Sequence, residues 1–370
     1  MTLDSSYSEP HLNDTNPDAK PALGGSPPHD AELDADLHDE LWDQGRLARE
    51  PLVSVIVPIY NGEADLPALV HHLRAQTYAA ERVEYLLVDN QSRDRTSELL
   101  HQFAQAPLAQ GSLTQDSGDR PITLIPLRSD RIQSSYAARN VGIKAAKGDI
   151  LVFTDADCRP AANWLVELVK PFAQDHVGLV AGEIIGLPGQ TLLEIFAERQ
   201  GTLSQKHTLN HPFSPYGQTA NLAVRRAALT SVGLFRPYLT TGGDADLCWR
   251  ILRSTGWQMH WAQKAVVQHR HRSTLAELRR QWHRYGRSNR YLHDLHGIAL
   301  TPELTWKDYG YRIGRWLLKE VPRHGLGMMQ GKSDRADLLA TPISLMCIAA
   351  RSQGQRQARL PLRAQQIESW

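Results

Sequence analysis

Two carboxylates one residue apart, Asp155 and Asp157, follow the apolar run Ile150-Leu151-Val152-Phe153. Read as a buried strand, that run delivers both acids to the C-terminal edge of a sheet. Carboxylate oxygens there can hold a divalent cation, and the cation can hold a diphosphate. Taken alone, two acids after a strand are usually a solvated turn. Their chemistry therefore depends on what else the chain brings to the same edge.

The elements that must position them are legible in outline. The β-branched run 52–58 ends in proline and predicts a strand. Apolar residues at Leu66, Leu69, Val70 and Leu73 predict a helix over 63–76. Residues 83–88, 122–125 and 150–153 read as further strands, and 96–103 and 135–146 as helices. Strands alternating with helices predict an α/β fold with a mostly parallel sheet covered on both faces. Ligands of such sheets bind beyond the carboxyl ends of the strands. Three strands end there in polar clusters: Tyr60-Asn61, Asp89-Asn90-Gln91-Ser92 and Asp155-Ala156-Asp157. The second half is more mixed, with strands at 177–185, 218–224, 257–261 and 265–268. Helices are expected at 192–205, near Arg225, at 244–254 and from Thr274 onward. The turn Pro58-Ile59-Tyr60-Asn61-Gly62-Glu63 is not the Gly-rich turn of a dinucleotide-binding fold, and no GxxxxGK[ST] loop exists. Phosphates must be held another way, and a metal on the Asp155/Asp157 pair provides it.

The formal net charge of the 370 residues is +1, which does not suggest a nucleic-acid or polyanion binder. The average hides an asymmetry. Residues 1–50 carry 12 acids and 3 basic residues, and residues 269–370 carry 18 basic residues and 8 acids. The first segment, rich in Asp, Pro, Ser and His, reads as disordered, with a short helix at 37–47. Three scattered cysteines argue against a disulfide framework and fit a reducing compartment. The N-terminal segment is acidic and polar with no apolar core of signal-peptide length, and no window approaches 18 apolar residues. The expected location is cytoplasmic, or peripheral at the inner face of a membrane.

Six segments, in order, resemble family 2 glycosyltransferases, inverting enzymes of GT-A fold. They are Val57-Pro58-Ile59-Tyr60-Asn61, Val88 to Thr96, Ala138-Arg139-Asn140-Val141-Gly142, Phe153 to Asp157, Ala220 to Arg225 with Val232-Gly233-Leu234-Phe235, and Gly243 to Arg250. The resemblance runs from about 52 to 273. It implies a GT-A domain over 51–270, followed by a basic helical extension over 271–370. Its implied reaction moves a sugar from a nucleoside diphosphate sugar, UDP first among the candidates, to a hydroxyl of a glycan or lipid-linked acceptor. Pro58, Tyr60 and Glu63 would line the base pocket, and Asp89 would accept a hydrogen bond from the base. Ser92 and Arg139 would support the nucleotide, Arg139 through base or phosphate. Asp155 would contact ribose or a metal-bound water. Asp157 would bind Mg²⁺ or Mn²⁺, with His269 closing the metal site from the opposite side. Asp244 would be the catalytic base, taking a proton from the acceptor hydroxyl. Asp246 is the reserve, although an acid in the first turn of a helix also suits the dipole. The family usually carries Glu where this chain has Gly243.

Gln281-x-x-Arg284-Tyr285 resembles the Gln-x-x-Arg-Trp motif of processive polysaccharide synthases. It reads either as a helix packing Trp282 and Tyr285 on the core or as Arg280 or Arg284 closing over the diphosphate. The Trp-containing basic tail reads either as a solvated lid or as a surface for an anionic bilayer. Two rivals to a transferase stand: a nucleotidyltransferase or nucleotide hydrolase on a similar sheet, and a non-catalytic nucleotide-sugar-binding scaffold. The Asp244-Ala245-Asp246 segment disfavours the first, and the intact set of acids disfavours the second.

Overall fold

The computed structural model describes residues 50–105 and 121–370. The expected leader, its short helix and the loop before residue 121 lie outside them. Strand β1 (Val53–Ile59) is followed by helix α1 (Leu66–Arg74), β2 (Val83–Asp89), α2 (Thr96–Gln105), β3 (Thr123–Arg128), α3 (Ser135–Ala145) and β4 (Ile150–Phe153). A short β5 (Cys158–Pro160) and α4 (Trp164–Val169) come next, then β6 (Val177–Gly186), α5 (Leu192–Arg199), α6 (Lys206–Leu209) and β7 (Leu222–Arg225). After α7 (Arg226–Thr230), α8 (Gly243–Ser254) and β8 (Gln258–His269) lie the long α9 (Leu275–His296), α10 (Trp306–Arg315), a π turn (Trp316–Glu320), α11 (Val321–Met329) and α12 (Arg335–Gln357).

The eight strands form one sheet in the order β3-β2-β1-β4-β7-β6-β8-β5. The β3-β2-β1-β4 half is wholly parallel, and antiparallel β7 joins it to the parallel pair β6 and β8. The parallel half follows from β1, β2 and β4 being almost continuously buried, as strands covered on both faces must be. Pro58 lies inside β1, one residue before its end. The carbonyl of Ile56 faces β4, and Pro58 shares that side by parity. Pairing with β4 stops at Ile56 and Phe153, so the missing N–H of Pro58 breaks no ladder bond.

The second half departs more from expectation. The two short strands at 257–261 and 265–268 are one strand, β8, interrupted where its register against β6 jumps from Ala262 to Val266. The helix at 192–205 stops at Arg199. It starts at a capping box between Thr191 and Glu194, and Lys206–Leu209 is a separate turn. The C-terminal helices share the core of the sheet: Tyr291, Ala358 and Ala364 pack with Phe153, Phe235 and Leu247. Near the C-terminus, Glu368 bonds Asn140 and Lys144 on α3.

Candidate active site

The carboxyl ends of β2, β1 and β4 lie side by side, so the three polar clusters converge as the topology requires. At β2, Asp89 is buried. Its Oδ1 accepts from Ser92 N–H at 2.9 Å, and its Oδ2 has no hydrogen-bond partner. The guanidinium of Arg128 comes within 4.0 Å of Oδ2. A buried carboxylate oxygen left open is costly unless a ligand completes it. Beside it, Asn61 and Gln91 both adopt positive φ, 50° and 62°. Strained backbone of this kind persists where its surroundings impose it. The imposing contacts are visible: Ser92 Oγ accepts from Asn61 N–H, and Asn61 Oδ1 accepts from Arg93 N–H. Ser92 thus ties the two loops together. Glu63 is similarly engaged, its carboxylate accepting from Arg95 N–H and its own N–H donating to Asp94. Tyr60 stands beyond β1 with its ring half exposed.

A cleft of about 340 Å³ opens at Asp155, beyond the end of β4; Pro58, Tyr60, Glu63, Asp89, Ser92 and Asp157 are not among the residues that line it. Arg139, Asp155, Asp244, His269, Arg272 and Arg284 all line it. Arg139 is brought there by α3, whose first turn is capped by the Ser134 hydroxyl. Its Nη2 donates to Asp155 Oδ1 at 2.6 Å, while its buried Nε lacks a partner. Asp155 is therefore held by an arginine. Asp157 turns instead toward β8, where His269 Nε2 lies 3.3 Å from its Oδ1. His269 Nδ1 is 2.9 Å from the carbonyl of Arg270, which can only accept. In the neutral ring the proton is thus on Nδ1, and the Nε2 lone pair faces the Asp157 carboxylate, an arrangement suited to an intervening cation. Asp157, Cys158 and His269 bring their ligand atoms within 4.8 Å of one another. Burial pushes the Cys158 thiol up, so it stays protonated, and the oxygen and nitrogen donors suit Mg²⁺ or Mn²⁺ better than the thiol does.

The two acids of α8 part company. Asp244 faces the cleft and accepts two long bonds, from Thr219 N–H and from Thr219 Oγ, each 3.2 Å. Burial pushes its carboxyl above the usual range, and Arg139 and Thr219 offset only part of that. Asp246 is fully buried and does not line the cleft. It accepts from Arg236 at 2.9 Å and Arg250 at 3.1 Å, and it lies 3.0 Å from His296 Nε2. Burial raises its carboxyl, but His296, Arg250 and Arg236 together hold it down to about 2. As a reserve base Asp246 is excluded by position: its two oxygens are occupied on the core side of the helix.

Gly243 explains itself against α3. A Cβ there would sit 2.6 Å from the Tyr136 ring. The ring, stacked on Phe235, occupies the space a side chain at 243 would need. Tyr136, Thr219, Arg128 and Arg272 were not singled out from sequence; the one signal was glycine in the place of Glu. Asn221 is a structural knot. Its amide bonds the carbonyls of Glu183 and Ala265 and accepts from Trp164 Nε1; of the segment Ala220 to Arg225, Ala220 alone lines the cleft. On α9, Gln281, Arg284 and Tyr285 all face the cleft, whereas Trp282 packs with Leu278, Phe196 and Ile343. Trp282 thus packs as the first reading expects, while Tyr285 departs from it and faces the cleft beside Arg284. Arg280 does not line the cleft, and His271 pairs with Glu198 at 2.8 Å.

Comparison with known proteins bears on the family and the fold. A model described as glycosyl transferase family 2 matches residues 54–230, and one described as glycosyl transferase family group 2 matches 150–331. The glycosyltransferase AglE of Haloferax volcanii is 33% identical over 218 residues, 58% of this chain and 62% of that protein. The undecaprenyl-phosphate 4-deoxy-4-formamido-L-arabinose transferase of Pseudomonas aeruginosa is 33% identical over 135 residues, 36% of either chain. The match thus spans less than two thirds of the length of these curated relatives. Among solved structures, a mannosyltransferase from Pyrobaculum calidifontis, in complex with GDP-Man and Mn²⁺, superimposes with a TM-score of 0.57 at 18% identity. It covers 88% of this chain and 95% of its own, and the likeness extends to the fold. The chain is a GT-A fold protein and belongs to glycosyl transferase family 2.

Proposed function

We propose that this chain transfers a sugar from a nucleoside diphosphate sugar to a hydroxyl of a glycan or lipid-linked acceptor, inverting the anomeric carbon. The observation that carries the reading is the convergence of Asp155, Arg139, His269, Arg284 and Asp244 on one cleft, together with the open oxygen of Asp89 at the end of β2, two strands from β4 in the same sheet. The nucleotide base lies against Tyr60 and donates to Asp89 Oδ2. Arg139 fixes Asp155 toward the ribose. Asp157 and His269 would hold Mg²⁺ or Mn²⁺, which when bound supplies Lewis-acid neutralisation of the departing diphosphate. Arg284 and Arg272 add fixed positive charge along the same path. Asp244 takes the proton of the acceptor hydroxyl as attack begins. Burial raises its carboxyl pKa, which makes the carboxylate a better proton acceptor than an ordinary aspartate.

The reading draws support from the family models that match residues 54–230 and 150–331, from a structural neighbour solved with GDP-Man and Mn²⁺, and from a relative named for undecaprenyl phosphate. UDP and GDP donors both suit the loop pair at Asp89. The three cysteines are free and buried, which fits a reducing compartment. The test is incubation with a panel of UDP-, GDP- and dTDP-sugars plus Mn²⁺ and a hydroxyl acceptor, with the product read by NMR. The expected product has inverted anomeric configuration and requires metal. Retained configuration, or nucleotide release with no glycoside formed, would overturn the reading.

A further inference from the structure

The segment after α9 is unlike the rest of the surface. Trp306, Leu318 and Met329 are each at least 80% exposed, and Tyr311, Leu317 and Leu326 are more than half exposed. All six lie within 24 residues on α10, the π turn and α11. Soluble proteins seldom leave so many large apolar side chains together in water.

The underside of this segment is satisfied. Trp316 Nε1 donates to the carbonyl of Leu338 on α12, and Glu320 accepts from Thr341. The helix also starts in good order, with a capping box between Thr305 and Asp308. Folding therefore gives this chain a well-formed helix whose outer face has nothing to cover it among the described residues. Pro322, at the start of α11, has no N–H to donate back to the preceding turn, which accounts for the π turn that carries Leu317 and Leu318.

The charges say what covers the face. From Trp306 to Met329 the chain has five basic residues, Lys307, Arg312, Arg315, Lys319 and Arg323, and two acids, Asp308 and Glu320. Both acids are engaged locally, Asp308 in the cap and Glu320 with Thr341 and Arg315. Lys307 lies 5.7 Å from the ring of Trp306. Aromatic and leucine side chains with lysine and arginine alongside are the composition that lies in the interface of an anionic bilayer. A second copy of the chain would bring like charge against like charge on this face. No described helix is long and apolar enough to cross a membrane, so the contact is one of lying on the surface.

We infer that α10, the π turn and α11 form a docking surface for an anionic lipid bilayer. The face is held to the cleft through two packed helices. Its partner α12 packs along α9, where Gly286 and Gly354 allow the two backbones to touch, and α9 carries Gln281, Arg284 and Tyr285 into the cleft. A bilayer bound there would hold the cleft at a fixed distance from lipid headgroups. This deepens the acceptor reading above toward a lipid-linked hydroxyl, while the docking itself rests on the surface and its flotation test needs neither donor nor acceptor.

The experiment is flotation of the full chain with phosphatidylcholine vesicles, with and without phosphatidylglycerol, alongside the triple variant W306S/L318S/M329S. All three residues are exposed, so the fold is preserved, and circular dichroism checks it. The native chain should float with the anionic vesicles and far less with the neutral ones, and its affinity should fall by on the order of 100-fold in the variant. Transfer to a water-soluble acceptor should be unchanged in the variant, which separates failure of docking from failure of the catalytic reading. Equal flotation of native and variant chains would overturn the proposal. So would an absence of flotation together with a dimer, seen by sedimentation equilibrium, that the same variant dissociates.

Discussion

Asp244 and Asp246 stand two residues apart on α8, one facing the cleft and the other the core behind it. On the core side bonding is complete. Asp246 is held by Arg236, Arg250 and His296, and Arg250 in turn donates to the carbonyls of Val232 and Leu234. On the cleft side bonding is left unfinished. Asp244 has two long bonds to a single threonine and Arg139 Nε has none, as Asp89 Oδ2 has none at the end of β2. The same side chain is thus driven in opposite directions, upward by burial at Asp244 and down to about 2 at Asp246. Incomplete bonding on one face of a helix, backed by complete bonding on the other, is how a rigid scaffold presents groups to a ligand.

That contrast can be broken from either side. The largest effect is expected from Asp246→Asn, which strips the charge from a buried site and leaves Arg236 and Arg250 uncompensated. Stability should fall by about 3–5 kcal/mol in urea unfolding, while transfer per folded molecule changes little. Asp89→Asn should act oppositely, sparing stability but weakening nucleoside diphosphate affinity by about 1.5–3 kcal/mol in titration calorimetry, because the open acceptor becomes a donor. Equal losses of stability in both variants would erase the distinction between the two faces.

Acidification sharpens it further. Asp246 has a folded-state carboxyl depressed from 3.8 to about 2. Its stabilisation is full above the ordinary carboxylate range and is lost as pH falls toward 2, a contribution of about 2 kcal/mol. Asp244 runs the other way: its folded-state carboxyl is raised, so ionising it costs stability as pH rises through the carboxylate range. The acid sensitivity of unfolding should therefore shrink in Asp246→Asn and not in Asp244→Asn. The smallest effect is expected from Gly243→Ala. Its Cβ must displace the Tyr136 ring, costing on the order of 1–2 kcal/mol of stability. Gly243→Glu should be worse than Ala, despite restoring the residue type usual in the family.

How far the chain could be read beforehand follows the same division. Strands β1, β2 and β4 are continuous apolar runs in a parallel sheet, where periodicity, burial and the polar cluster at the carboxyl end all agree. The positions of Asp89, Asp155 and Asp157 were legible because each ends or follows such a strand, and that of Asp244 because it lies in the first turn of α8. β8 was not, because a three-residue excursion in register leaves no mark in composition, and Gln263-Lys264-Ala265 reads as a turn. The three-residue β5 is too short for any pattern. Ser92 and Glu63 show the limit for the site itself. Both sit in the right loops, yet their side chains bind neighbouring backbone, and sequence does not distinguish a loop tie from a ligand contact. Asp246 likewise needed its partners to be seen: Arg236 is ten residues upstream and His296 fifty downstream, brought together only by packing.

The most direct test of the account is single-turnover transfer by Asp244→Asn, with donor affinity measured on the same sample. Nucleoside diphosphate and Mn²⁺ should bind as in the native chain, while the transfer rate falls by about 10²–10⁴-fold, the usual worth of a positioned base. Transfer at the native rate would contradict the account. It would mean that the acceptor atom needs no base, as an already ionised lipid phosphate would not, and that Asp244 is a neighbour of the chemistry and takes no part in it.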